Sequence, residues 1–297
     1  MFNVNQIDEK YDFEIKGASY IGKPQKNTVM FVSKKVESLV SNLVSVNECL
    51  VFAEKGIVVE EDILLKNCVV FTETPQLEYV KFVSNIARER HLVEKRRKYT
   101  LTNEGYYLGE NVIIGKNAYI EPGCLIGHDV ILGDNICVNA GAIIKNAIIG
   151  NNVVINEKAV VGAVGFTMVE DQNGNKMRMP TLGKVIIGND VEIGALDNIS
   201  CGSGGDTVIE DYVKIDALCH IGHDVHLCKN VEITAGCIVG GFTELRENAY
   251  MGINSSIRNR LIVEKGGLIG MGATVTKSVE EKMTVVGNPA KPLIRKN

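Results

Sequence analysis

Residues 209–275 read IEDYVKIDALCHIGHDVHLCKNVEITAGCIVGGFTELRENAYMGINSSIRNRLIVEKGGLIGMGATV, and in them an aliphatic residue returns at every sixth position. It falls at Ile209, Ile215, Ile221, Leu227, Ile233, Val239, Leu245, Met251, Ile257, Val263, Ile269 and Val275, twelve beats without a slip. A helix would repeat near 3.6 residues and a half-buried strand every 2, so neither explains six. A triangular prism does: each hexapeptide gives one short strand and a corner, and three of them make a coil of about 18 residues. The aliphatic residue points inward. Four positions later the residue is usually small or β-branched, as at Ala142, Cys219, Cys237, Ser255 and Ala273. The position just after the beat is often Gly, Asn or Asp (Gly115, Gly127, Asn139, Gly188, Asp216, Gly222), and the turn conformation is expected there.

Working outward, the same beat starts at Leu108 and reaches Ile144, takes one five-residue step to Ile149, and continues through Val161. It breaks before Ile187 at GAVGFTMVEDQNGNKMRMPTLGKV and again at CGSGGDT, residues 201–207. A parallel β-helix is therefore expected over residues 105–280, with loop insertions at 163–186 and 201–207 and a tail over 281–297. Such loops either build a pocket or lock an oligomer. Residues 1–104 lack the beat. Short β-rich runs (Thr28–Val32, Cys49–Ala53, Cys68–Thr72) alternate there with helical segments, which predicts a small α/β domain. The charged stretch from Ala87 to Thr100 interleaves Glu89 and Glu94 with its basic residues and reads as a solvated linker helix.

The 297 residues are 45% hydrophobic and 23% charged, enough to bury a core and too few charges for wholesale disorder. A net charge of -4 offers no reason to expect nucleic acid. No apolar run reaches the length of a membrane span, and the first residues lack the basic start and apolar core of a secretory signal. Eight scattered cysteines without a Cys-x-x-Cys pair argue against a disulfide framework and a zinc site and suit a reducing cytoplasm. His220, His223 and His226, spaced by three, should fall on different faces of the prism, so no metal is assigned. A rod with flat faces offers only short grooves, so a small-molecule site would need a neighbouring subunit, and a homotrimer is expected.

The segments VGAVGF…MPTLGKVIIGNDVEIGA and GGDTVIEDYVKIDALCHIGHDV closely resemble the UDP-3-O-acylglucosamine N-acyltransferase family of lipid A synthesis. TVMFVSKK and PQLEYVKF resemble its uridine-binding domain more weakly. The resemblance implies a left-handed prism and acyl transfer from a thioester to a sugar amine. It makes His223 the base and Asp216 its orienting carboxylate. Gly241, one coil on, would present an N–H to the oxyanion. It also implies that Phe31, Lys34, Phe166 and His220 hold the sugar nucleotide. The chain departs from the family at VVGNPAKPLIRKN, which looks like the end of acyl-CoA enzymes, and at Arg260, where the family has a second histidine. Those departures point to a short acyl group carried by acyl-CoA as cosubstrate, with Gly270, Lys277, Lys291 and Arg295 holding CoA and no cofactor bound permanently. The acceptor would be a nucleotide-linked amino sugar of a surface polysaccharide. The alternatives are the lipid A reaction itself, with acyl carrier protein as donor, and a non-catalytic β-helix scaffold or sugar-binding protein.

The pentapeptide IGHDV occurs twice, at Ile126–Val130 and Ile221–Val225. His128 reads as a corner residue, and only the context of His223 marks it for function.

Overall fold

The computed structural model describes residues 2–293, and the chain divides into two compact units. One comprises Arg97–Gly165, Lys184–Gly202 and the residues from Asp206 onward; the other comprises the residues through Arg96, Phe166–Gly183 and Ser203–Gly205.

The larger unit is the expected left-handed parallel β-helix. Its strands are two to four residues long and stack into three sheets of ten, ten and eight strands. Register follows the beat: Ile221 lies beside Val239 on the next coil, Val239 beside Ile257, and Ile257 beside Val275. The aliphatic residues fill the prism, with Ile126, Ile144, Ile221, Leu245 and Ile269 fully buried. Each such side chain contributes about 1.5–3 kcal/mol by leaving water. The small residues four positions after the beat are buried too: Ala142, Cys237, Ser255 and Ala273 each have 0% exposure. None of the eight cysteines forms a disulfide.

The corner differs from the expectation in one respect. The left-handed residue sits three positions after the beat, at Asn111, Asn117, Asp129, Asn135, Asp190 and their counterparts, all with φ near +57°. Asn and Asp tolerate that region, which accounts for their recurrence. The glycine directly after the beat serves close packing instead. A Cβ on Gly115 would meet Gly133 O at 2.4 Å, and one on Gly222 would meet Gly241 N at 2.7 Å, so coils could not stack at strand spacing with a side chain there.

The smaller unit is an α/β fold. Its four-stranded parallel sheet runs Gly17–Ala18, Thr28–Val32, Leu50–Glu54, Cys68–Thr72. Helix Pro75–Glu94 starts with Pro in its first turn, where no N–H partner is lost, and packs Leu77, Tyr79, Val80 and Val83 inward. Both insertions belong to this unit. Met168–Glu170 and Lys176–Arg178 form an antiparallel hairpin, and Val169 and Met179 join the core around Val29, Leu50 and Tyr79. Ser203 O accepts from Tyr79 Oη at 3.3 Å. Among the described residues no helix is long and apolar enough to cross a membrane.

Candidate functional site

His223 follows the inward Ile221 and the close-packed Gly222 at a corner of the prism, which turns its ring outward with 15% of the side chain exposed. Its Nδ1 lies 2.7 Å from Asp224 Oδ2. An ionised carboxylate only accepts, so Nδ1 carries the proton and the basic lone pair is on Nε2. Asp224 is itself firmly held. Its carboxylate side chain is 3% exposed, and its N–H donates to the buried Thr207 Oγ1 at 2.9 Å. The carboxylate paired with His223 is thus Asp224, where Asp216 was expected. The Asp216 side chain is exposed at its own corner and accepts from Ala217 N–H at 2.8 Å. Seven residues separate it from His223, more than the six that advance one face, whereas the adjacent aspartate shares the corner.

Gly241 stacks one coil above. A Cβ there would meet His223 Cε1 and Nε2 at 2.8 Å, so the absence of a side chain keeps space open beside the basic nitrogen. The Gly241 N–H has no acceptor among the described residues. At comparable corners a side chain from the next coil takes that hydrogen, as Asp134 Oδ1 does from Lys116 N–H at 2.7 Å. Phe242 follows, anchored by its N–H to His223 O at 2.9 Å, with its ring edge-on to the imidazole at 5.2 Å. The Arg260 guanidinium lies over the Phe242 ring at 4.1 Å. Phe242 and Arg260 both adopt the left-handed conformation (φ +59° and +62°) that most other corners give to Asn, Asp or Gly, although Lys158, Leu196, Tyr212 and Leu218 share it. A bulky residue there is strained, at a cost on the order of 1–2 kcal/mol.

His220 sits half-buried on the strand leading into this corner; burial first, then the nearby His223, lowers its pKa. His226 turns away to Glu210, with Nε2 and Oε1 2.7 Å apart.

The other IGHDV is arranged differently. His128 Nδ1 accepts from Glu110 N–H at 2.8 Å, which places the neutral ring's proton on Nε2. Its aspartate, Asp129, is drawn to Arg97, whose Nη2 is 3.1 Å from Oδ1, and the Tyr99 ring lies 4.4 Å from the imidazole. His128 is 8% exposed.

In the α/β unit, Phe31 is half-buried and packs on Tyr79 with ring centroids 5.2 Å apart. Lys34 N–H donates to Glu54 Oε2 at 2.8 Å. Phe166 is 73% exposed, with the Arg178 guanidinium 5.1 Å over its ring. A cavity of about 300 Å³ in this unit is lined by Ser33, Glu54, Thr74, Gln76, Glu170 and Asp171, among others. Gly270 N–H is committed to Val285 O at 2.9 Å, and Lys277 and Lys291 are exposed. Arg295 lies outside the described residues.

Residues 111–146 and 206–241 match the family described as "Bacterial transferase hexapeptide (six repeats)". The UDP-3-O-acylglucosamine N-acyltransferase of Caulobacter sp. (strain K31) is 35% identical over 154 residues, 52% of this chain and 45% of that protein. The UDP-3-O-acylglucosamine N-acyltransferase 2 of Legionella pneumophila (strain Paris) is 38% identical over 147 residues, 50% of this chain and 43% of that protein. The matches thus span less than half the length of these relatives. A solved UDP-N-acetylglucosamine acyltransferase from Campylobacter jejuni shares the fold, with a TM-score of 0.57 and 22% identity over 65% of this chain and 74% of that one. The relatives' names overturn the expectation of a short-chain acyl-CoA enzyme and favour its lipid A alternative. Gly270, Lys277, Lys291 and Arg295 consequently have no assigned ligand.

Proposed function

We propose that this chain N-acylates a UDP-linked 3-O-acylglucosamine, taking the acyl group from an acyl carrier protein thioester. The observation that carries this reading is the His223–Asp224 pair beneath the bare backbone of Gly241, in a chain resembling enzymes named for that reaction. His223 Nε2 takes the proton as the amine attacks the thioester carbonyl. Asp224 holds the ring in the reactive tautomer and stabilises the imidazolium that forms. Gly241 N–H stabilises the tetrahedral oxyanion, and the thiol departs with a proton returned from His223. Phe242 and Arg260 frame the base, with the guanidinium offering positive charge to an anionic part of either substrate.

The α/β unit holds the nucleotide. Exposed Phe166, capped by Arg178, is better placed to stack on a base than half-buried Phe31, which also serves the core. The polar cavity lined by Ser33 and Thr74 suits ribose hydroxyls more than phosphate, because Glu54, Glu170 and Asp171 share it. Lys34 and His220 are further substrate contacts in this reading, and three chains assemble to wall the site.

The test follows UDP-3-O-acylglucosamine and acyl carrier protein thioesters by mass spectrometry. The expected result is N-acylated product, reduced at least about hundredfold in His223→Ala, with the variant's thermal melt unchanged. Product formation that survives His223→Ala, or none from the intact chain, would overturn the reading.

A further inference from the structure

Glu210, His226 and Cys228 bring a carboxylate, an imidazole and a thiol together on one face of the prism, and acyl transfer uses none of them. His226 and Cys228 flank the inward Leu227, so both point outward, while the register setting Ile209 beside Leu227 puts Glu210 one coil below Cys228. One ligand atom from each lies within 4.8 Å of the other two. His226 Nε2 is 2.7 Å from Glu210 Oε1 and 3.8 Å from Cys228 Sγ.

Bond lengths of roughly 2.0 Å to N or O and 2.3 Å to S set tetrahedral zinc ligands about 3.3–3.5 Å apart. The observed N···S separation is therefore close, and the N···O separation needs to open by about half an ångström. Glu210 is already oriented: Lys229 N–H holds its Oε2 at 2.8 Å, which turns Oε1 to the imidazole. The His226 and Glu210 side chains are 32% and 41% exposed, which leaves a cation a way in. Glu244, beside His226 on the next coil, adds negative charge although its Oε1 is engaged by Arg246.

We propose that Glu210, His226 and Cys228 bind a divalent cation of the zinc class, tying the coil that carries His223 to the coil before it. A mixed N, O and S donor set selects such an ion over magnesium or calcium, which take oxygen ligands. Three protein ligands leave a fourth position for water. Burial and the carboxylates of Glu210 and Glu244 push the Cys228 thiol up to about 11, so the ion forms its sulfur bond by displacing the thiol proton to solvent; it bonds His226 Nε2 once the proton donated there to Glu210 has passed through solvent to Nδ1.

The experiment titrates the metal-stripped full-length chain with Co²⁺ and then displaces it with Zn²⁺ against a chromogenic chelator. The expected result is one equivalent per chain, with a thiolate-to-cobalt charge-transfer band and the intense visible bands of a four-coordinate ion. Cys228→Ser should abolish the charge-transfer band. His226→Ala and Glu210→Gln should each weaken Zn²⁺ at least roughly tenfold. Cys137→Ser, altering a partly buried thiol on another face, should leave both readouts intact. All the substituted side chains are partly exposed, and melting curves without metal check that each variant folds. Absence of the band in the intact chain, or its persistence in Cys228→Ser, overturns the proposal.

Discussion

Two histidines in identical pentapeptides hold their protons on opposite nitrogens. His223 donates from Nδ1 to Asp224, while His128 accepts at Nδ1 from a backbone N–H. Only the first leaves its basic lone pair on Nε2, beside the space over Gly241. Asp224→Asn should therefore cut kcat by about 10² or more with KM nearly unchanged, since an amide can hold the ring in the wrong tautomer. His128→Ala should retain turnover and instead lose about 1–3 kcal/mol in urea unfolding, because Glu110 N–H loses its acceptor. Equal activity losses in the two variants would contradict this division of roles. Nothing within IGHDV distinguishes the copies. The difference comes from Arg97, which recruits Asp129, and from Thr207, which fixes Asp224; both are remote in sequence. That remoteness is why His223 is legible only from its wider context, and why the sequence points to Asp216 where the structure pairs the histidine with Asp224.

Among the elements, the repeated corner separates stability from function. Lys158 takes the left-handed position with φ +58° and is exposed, so Lys158→Gly should raise stability by roughly 0.5–1 kcal/mol in a denaturant titration. Phe242→Asn relieves the same strain and should be neutral or stabilising, yet it should lower turnover by removing the ring packed against His223. A Phe242→Asn variant with full activity would show that the strained ring has no part in the site. Another corner carries Asp197, which is 1% exposed and accepts from Gly194 N–H and from Cys219 N–H on the following coil. Burial is the main cause raising its pKa to about 7, against the pull of those two donors. The unfolded chain holds this carboxyl near 3.9. Below that pH its contribution is fully present, and it is lost as pH rises toward 7, with a slope of at most about 1.4 kcal/mol per unit. Thermal melts from pH 4 to 8 should show this fall in stability, flattened in Asp197→Asn; an unaltered slope would locate the titration elsewhere. The strands are readable in the sequence because each buries one aliphatic residue per six. The corner is less so: glycine meets two different needs, positive φ and close packing, and composition does not separate them, so the turn falls two positions later than glycine suggests.

For the whole molecule, the chain builds two units from interleaved segments. Residues 166–183 interrupt the β-helix after a completed rung, yet Val161 and Ile199 keep their stacking across the gap. What leaves the prism supplies Val169 and Met179 to the α/β core, 8% and 5% exposed there. Sequence periodicity can mark where the beat stops but not where the loop's apolar residues go, because two buried side chains on a hairpin form no repeat. Replacing residues 166–183 with a short Gly/Ser linker removes two buried side chains from the α/β unit, worth roughly 3–6 kcal/mol to it. Loop-closure entropy changes little for a surface segment of that length, well under the burial loss. Hydrogen exchange should then show strands Thr28–Val32 and Leu50–Glu54 losing protection, while rungs such as Ile221, Val239 and Ile257 keep theirs. If protection fell equally in both units, the two units would unfold as one cooperative body. The loop would then matter to the prism as much as to the sheet it completes.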